Sequence, residues 1–231
     1  MLRNNERRGQ TAHTVFLAVS LFSLSYALFN FVYSFQLKNI GPDDLTTGPL
    51  LAFGWANQAG IVINSGLLLT SIVSFISWSR RAYANLAAVG VDTTYPHSQV
   101  VIGWFVPVLS LYQPYRIIRE IWRSTQYRAF GYVTSHALVR IWWALFLFRT
   151  VLGIVVSAAS SMMTLEAIRT SLQFTAAALL FDALAAWVTA RMINRIRQFE
   201  QQLALTLNVQ QLGLAAPEPA SLSPTDPDLY L

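Results

Sequence analysis

Two residues of opposite charge lie inside otherwise apolar segments of the sequence and are its clearest candidates for chemistry. Arg149 lies in the apolar segment 136–161, and Asp182 lies in the segment 171–190. A charge at the centre of a bilayer costs about 2.5–3.5 kcal/mol on insertion scales, so two such residues are expected to pair. The pair could relay a proton or an ion, or it could fix the register of two helices. The sequence favours the structural role and leaves the relay open.

A second group of candidates is a row of arginines in the middle of the chain. Arg116, Arg119 and Arg123 are spaced by three and four residues, which puts them on one face of a helix, and Trp122 lies among them. An amphipathic helix of this kind is typical of the bilayer surface, where arginines attract anionic lipid headgroups. The pattern predicts lipid or anion contacts for these four residues; snorkelling and topology determination by the arginines are the alternative. Glu120 is expected to pair with Arg116 or Arg123.

The sequence carries no recognised catalytic motif and no residue set that would hold a cofactor. It lacks cysteine, which excludes disulfides, a thiol nucleophile and a thiolate metal site. Its three histidines, His13, His97 and His136, do not have a metal-binding spacing such as HExxH. No phosphate-binding loop, dinucleotide-binding glycine pattern or nucleophile elbow is present. We therefore expect no metal, no cofactor and no catalytic residue, and we favour a non-enzymatic protein.

Composition and hydropathy predict an all-α integral membrane protein with four transmembrane helices. Of the 231 residues, 54% are hydrophobic and only 12% are charged, and the mean hydropathy is +0.43. Four segments are apolar over the roughly 20 residues that a helix needs to cross a bilayer. They are about 15–37, 50–78, 136–161 and 171–190. The first exceeds the roughly 7–15 apolar residues of a signal peptide, so we expect it to remain as an uncleaved span.

A shorter apolar piece, residues 100–112, lies between the second and third spans. About thirteen apolar residues interrupted by a proline are more typical of an interfacial or re-entrant segment than of a span. We predict a hairpin over about 96–128 that begins and ends on the cytoplasmic side, either dipping into the membrane or lying in the headgroups. The residues expected to shape this hairpin are Gly103, Trp104, Pro107 and Pro114.

The distribution of basic residues predicts the orientation in the membrane. The chain has sixteen Lys and Arg against eleven Asp and Glu, a formal net charge of +5. If the hairpin does not cross, thirteen basic residues lie on the starting side, only Lys38 and Arg169 lie opposite, and Arg149 is within a span. Short cytoplasmic loops of membrane proteins are enriched in such residues. Both termini are therefore expected to be cytoplasmic, and the basic excess predicts topology rather than nucleic-acid binding.

The two ends of the chain differ in character. Residues 1–14 are expected to form a cytoplasmic N-terminus ahead of a membrane domain over 15–195. Residues 196–213 carry apolar side chains at intervals of three or four, which predicts an amphipathic cytoplasmic helix. Residues 214–231 are acidic and rich in proline, a composition typical of a disordered tail.

Motifs between the second and third spans resemble those of a known family. Residues 81–86 read Arg-Ala-Tyr-Ala-Asn-Leu, residues 103–107 read Gly-Trp-Phe-Val-Pro, and residues 114–122 contain Pro-Tyr followed by Arg-Glu-Ile-Trp. Over about fifty residues the sequence resembles the bacterial membrane-protein family DUF4328, a domain of unknown function. The resemblance implies a bacterial multi-pass protein of the inner, cytoplasmic membrane, and it implies no activity.

Two functional hypotheses follow from these features. The first is a non-enzymatic interaction or regulatory module that engages a protein partner or anionic lipid headgroups at its cytoplasmic face. The second is a small oligomeric channel or transporter that uses the pair Arg149 and Asp182. A membrane-embedded enzyme acting on lipid stays open as a third. The lipid bilayer is an expected partner in each case, a homo-oligomer stays open, and no nucleic acid is expected.

Overall fold

The computed structural model describes residues 3–37, 48–159 and 165–214, without the side chains of 48–50, 152–159, 165 and 214. The described residues form seven α-helices and no strand, which confirms the predicted all-α fold. The helices are α1 (Glu6–Gln36), α2 (Gly48–Ala88), α3 (Gln99–Phe105), α4 (Pro107–Ser110), α5 (Gln113–Phe130), α6 (Ala137–Ala159) and α7 (Leu165–Leu214). The predicted disordered tail lies outside the described residues from residue 215 onward.

Three of these helices are long and apolar enough to cross a membrane. They are Glu6–Gln36, Leu51–Ala88 and Glu166–Gly213, within α1, α2 and α7. They contain the first, second and fourth predicted spans and support association with a membrane. α6 coincides with the third predicted span, but its side chains are described only through Val151. The described part of the chain therefore supports three of the four predicted spans.

α7 is one continuous helix of 50 residues, about 75 Å long. The sequence predicts that the helical pattern continues beyond the fourth span as an amphipathic stripe, and α7 extends through both segments. Because no glycine or proline lies between Leu165 and Leu212, nothing interrupts the helical hydrogen bonds where the apolar segment ends near Arg191. α2 likewise continues beyond the predicted end of its span at Trp78 to Ala88. Both helices are longer than the roughly 30 Å hydrocarbon core of a bilayer requires.

α1 runs antiparallel to both α2 and α7, and hydrogen bonds fix this arrangement. The Ser20 hydroxyl donates to the backbone oxygen of Ala183 at 2.8 Å, and the Tyr26 hydroxyl donates to Asn57 Oδ1 at 2.8 Å. The start of α1 therefore lies beside the last turns of α2 and the second half of α7. We call this the basic end of the bundle, defined by residues 3–14 of the chain, 79–88 of α2, α5 and 191–214 of α7.

The largest buried cluster lies towards this basic end rather than midway along the long helices. α5 contributes Ile117, Ile118, Ile121 and Trp122, the whole apolar face that the sequence predicts to enter the bilayer interface. That prediction is wrong, because these side chains pack into the protein core instead. Burial of each apolar side chain stabilises such a core by about 1.5–3 kcal/mol. The partners from α2 and α7 that are almost inaccessible are Trp78, Tyr83, Leu86, Met192, Ile193 and Ile196.

The segment between α2 and α5 is broken into two short helices. Val106 separates α3 from α4 in an extended conformation, φ −86° and ψ 118°, as expected for the residue before Pro107. α3 has seven residues and a length of about 10 Å, so it is too short to cross a bilayer by itself. Its base is closed by a 2.9 Å hydrogen bond from Gln113 Nε2 to Gln99 Oε1.

Gly60 on α2 provides a test of the contact between α1 and α2. A Cβ at this position would lie 2.5 Å from Cε2 of Tyr26, whereas a Cβ on Gly66 would meet nothing within 4 Å. We expect Gly60→Ala to displace the Tyr26 ring and lower the free energy of unfolding by about 1–3 kcal/mol. Gly66→Ala, the matched control, should be neutral or stabilising by up to about 1 kcal/mol. Denaturant unfolding in mixed micelles measures both; equal effects would show that this contact is unimportant.

Candidate functional site

Arg149 on α6 and Asp182 on α7 form the ion pair that the sequence predicts. Arg149 Nε donates to Asp182 Oδ1 at 2.5 Å, and Nη2 lies 3.4 Å from Oδ2. Arg140 and Arg191 mark the polar boundary at the same end of the two helices. Arg140 lies nine residues before Arg149, and Arg191 lies nine residues after Asp182. At about 1.5 Å per residue, both charges lie roughly 13–14 Å inside that boundary. The antiparallel helices thus bring them level.

The pair lines an apolar cleft of about 370 Å³. Trp104 and Phe105 of the hairpin line the same cleft, so the structure brings two of the separately predicted features together. Asp182 is the better shielded member, with 16% of its side chain exposed against 38% for Arg149. Apart from the pair, polar groups reach the cleft from Ser71 and Thr189. The site can therefore hold a charge pair against apolar walls, and none of the other described residues lining it is charged.

The predicted hairpin residues have different roles in the structure. Gly103 is buried, and a Cβ there would lie 3.0 Å from Cδ of Gln113, so its small size permits the close approach of α3 and α5. Pro107 begins α4 and Pro114 lies in the first turn of α5, positions where the missing N–H costs nothing. Trp104 packs edge-on against Phe75 and Phe146. These four residues thus shape and anchor the segment from α3 to α5.

The arginines of α5 border a groove of about 920 Å³ at the basic end, which we call the basic groove. Arg116 and Arg123 are exposed and Arg119 is half-buried, and all three line it. Arg116 stacks over the Tyr112 ring, 5.0 Å from its centroid. None of the three has a salt bridge among the described residues. They therefore present positive charge to the groove, as an anion site requires.

Two expectations about this helix need correction. Trp122 is only 4% exposed and contacts Phe199 edge-on, so it does not share the exposed surface of the arginines. Glu120 is not paired with an arginine: its two oxygens accept from the Thr94 N–H at 2.8 Å and the Tyr83 hydroxyl at 3.1 Å. Burial raises the pKa of Tyr83 to about 12, so the hydroxyl keeps its proton. Glu120 thus ties the loop before α3 to α5.

Residues 45–198 match the family described as Domain of unknown function (DUF4328). The chain belongs to this family. The DUF4328 region contains the hairpin, the basic groove and both members of the ion pair, and it leaves out α1 and the last turns of α7. No curated protein matches the sequence, and no solved structure matches it.

A polar network that sequence reasoning missed lies at the edge of the DUF4328 region. Asn5 Nδ2 donates to both oxygens of Glu200, each at 3.1 Å. Glu6 forms a salt bridge with Arg197 and also accepts from Gln201 Nε2 at 3.0 Å. The network joins the N-terminus to α7 across 195 positions of sequence. The only local signal was Glu200 itself, an acid within an apolar helical stripe.

The carboxyl group of Glu200 has unusual electrostatics for a residue outside the apolar segments. Burial raises its pKa from 4.5 to about 7, although hydrogen bonds from Asn5 and Asn85 act in the opposite direction. Glu6 raises the pKa further by repulsion, and Arg197 lowers it by a smaller amount. Glu200 is therefore close to half-protonated at neutral pH.

Proposed function

We propose that this protein is a four-span membrane protein that binds anionic lipid headgroups through its basic groove, as a non-enzymatic interaction or regulatory module. The fourth span in this proposal is α6. The arginines Arg116, Arg119 and Arg123 would hold the phosphate, since guanidinium groups match phosphate oxygens in geometry and charge.

The observation that supports this proposal is the junction between the hairpin tip and α5. Phe105, Val108 and Leu111 are 71%, 69% and 59% exposed, which makes the tip an apolar surface that no described residue of this chain covers. It leads directly into Tyr112 and the exposed Arg116 at the start of α5. An apolar surface followed by aromatic and cationic residues is the order met on passing from hydrocarbon to headgroups.

The core packing of α5 strengthens the argument for headgroup binding. Because its apolar face is buried in the protein, the helix that carries the arginines is in place before any lipid arrives. A fixed site loses less conformational entropy on binding than a helix that must fold on the membrane. We infer that the groove recognises a headgroup while the hairpin tip dips into the same leaflet.

The test removes the three charges and measures headgroup affinity. Replacing Arg116, Arg119 and Arg123 by glutamine should weaken binding of a short-chain phosphatidylglycerol on the order of a hundredfold, at about 1 kcal/mol per arginine. Titration of the detergent-solubilised protein at two salt concentrations measures this, and higher salt should weaken wild-type binding.

A matched control removes the same charge from positions outside the groove. Arg7, Arg140 and Arg195 are exposed and lie outside the groove, and their replacement by glutamine should leave most of the affinity. Equal losses in the two triple variants would reject the groove as the binding site. Neither the wild type nor the two triple variants should bind phosphatidylcholine tightly.

For orientation, we propose the bacterial inner membrane with both termini and the basic end in the cytoplasm. The arginines clustered at this end support that orientation through the positive-inside rule. Reporter fusions after Thr125 and Gln210 should report the cytoplasm, and a fusion within residues 42–47 should report the opposite side. A non-cytoplasmic signal at Thr125 would reject the proposed topology.

A channel or transporter is the second candidate, and one observation favours it. Arg149 and Asp182 border the same cleft as Trp104 and Phe105, so movement of the hairpin would change access to the pair. In this reading the pair opens and closes during transport, and several copies form the pathway.

A further inference from the structure

A second cavity lies at the basic end, away from both the groove and the ion pair. It has a volume of about 610 Å³ and is lined by N-terminal residues, the end of α2, Thr125 of α5 and the last turns of α7. We call it the N-terminal cavity. Its walls are mixed: one is made by polar groups around Glu200 and Asn5, and another by Leu86, Leu203 and Leu207. It therefore suits a small molecule with one polar and one apolar part.

Asn5 is placed in this cavity without serving its usual structural role. It precedes the first residue of α1, where an asparagine oxygen normally accepts an N–H of the first turn, yet it makes no such cap. Its Nδ2 donates to Glu200, and its Oδ1 has no hydrogen-bond partner although the residue is only 5% exposed. A buried acceptor of this kind costs about 1–3 kcal/mol unless a donor satisfies it. The cavity thus lacks a donor at Asn5.

Glu200 also lacks a compensating positive charge. Arg197, the cation that acts on Glu200, is bonded to Glu6, and the repulsion from Glu6 on Glu200 outweighs the attraction from Arg197. Arg3 and Glu6 also line the cavity, but the charges that act on the pKa of Glu200 are those of Glu6 and Arg197, not that of Arg3. The residues that α2 and α5 contribute to the lining are uncharged. An ionised Glu200 is therefore short of positive charge.

We propose that the N-terminal cavity binds a primary ammonium ion carried on a short apolar chain. The ammonium group, with three N–H donors, would donate to the Glu200 carboxylate and to Asn5 Oδ1, and the chain would lie against Leu86, Leu203 and Leu207. A metal ion fits less well, because Glu6, the second carboxylate of the lining, is bonded to Arg197, and one remaining carboxylate is a poor set of ligands for a hard cation. The described residues also contain no cluster of three metal-binding side chains.

The ligand and a proton compete for the same carboxylate, which gives the proposal a pH signature. With a Glu200 pKa of about 7, roughly a tenth of the carboxylates are ionised at pH 6 and nine tenths at pH 8. Ammonium affinity should rise about tenfold over this range. The charged groups that face Glu200 are Glu6 from α1 and Arg197 from α7, which form a salt bridge with each other.

The experiment titrates the full chain in detergent with butylammonium chloride and follows binding by calorimetry. We expect saturable binding of one ion at pH 8, about tenfold weaker binding at pH 6, and none of 1-butanol, which has the same chain without the charge. Glu200→Gln should weaken binding at least tenfold and remove the pH dependence. Asn5→Ala, which keeps the carboxylate, should weaken it severalfold.

Three further variants make the outcome decisive. Glu166→Gln, at the exposed start of α7, should bind as wild type does. Glu200→Asp retains a carboxylate and should keep the pH dependence, so a loss in Glu200→Gln cannot be ascribed to misfolding if the aspartate variant still binds. The triple glutamine variant of the basic groove should bind butylammonium normally, which separates this proposal from the proposed function. Absence of saturable binding to the wild type at pH 8, or unchanged binding in Glu200→Gln, would overturn it.

Discussion

Replacing Asp182 by leucine is expected to lower the free energy of unfolding by about 3 kcal/mol. The change leaves Arg149 without its 2.5 Å partner in an apolar cleft. An unpaired arginine at that depth costs about 2.5–3.5 kcal/mol, and breaking a buried pair on one side has a similar cost. Denaturant unfolding in mixed micelles measures the loss.

The double variant separates the pair from its single residues. Arg149→Met combined with Asp182→Leu removes both charges, so we expect it to recover most of the stability lost by Asp182→Leu alone. Glu166→Leu, the same kind of change at the exposed start of α7, should have little effect. If the double variant were less stable than Asp182→Leu, the unpaired charge would not be the cause of the loss.

The same residues distinguish a structural pair from a relay. Asp182→Asn keeps the size of the side chain and removes its charge, and in reconstituted vesicles it should change proton or ion flux only if the pair takes part in transport. Unchanged flux together with a loss of stability would leave the pair with the structural role that the sequence favours.

Replacing Glu200 by glutamine is expected to change how stability depends on pH. The pKa of Glu200 in the folded protein is about 7, above its ordinary value of 4.5, so the folded state binds this proton more tightly than the unfolded state. The wild type should therefore lose stability as pH rises from about 4.5 to 7 and then level off. Allowing for the partial exposure of Glu200, the loss is on the order of 2–3 kcal/mol.

Glutamine cannot ionise, so the variant should lack this loss and exceed the wild type in stability at pH 8. Unfolding of both proteins at pH 5 and pH 8 gives the comparison, since every other titratable group is common to them. Glu166→Gln serves as the control and should follow the wild type. If the difference in free energy of unfolding between the wild type and Glu200→Gln were the same at pH 5 and pH 8, this would contradict a raised pKa of Glu200.

The sequence alone determined the helical class, the family and the meeting of Arg149 with Asp182. The length of each apolar segment identifies the candidate spans, because a helix has a fixed rise per residue and its length can be compared with the thickness of the bilayer. The pair was predictable because antiparallel helices bring level any residues that lie equally far from the polar boundary. These inferences need only the local sequence pattern and the known thickness of a bilayer.

Only the tertiary structure decided which faces meet. The apolar stripe of α5 fits a bilayer interface and a protein core equally well, and the extension of α2 and α7 beyond the apolar segments is what supplies the core that buries Trp122. Likewise, Glu120 had arginines one turn away in its own helix, yet Tyr83 and Thr94 reach it from another part of the chain. The contact between Asn5 and Glu200 joins residues 195 positions apart. Helical periodicity fixes which side chains share a face, whereas the partner of that face depends on packing between distant segments.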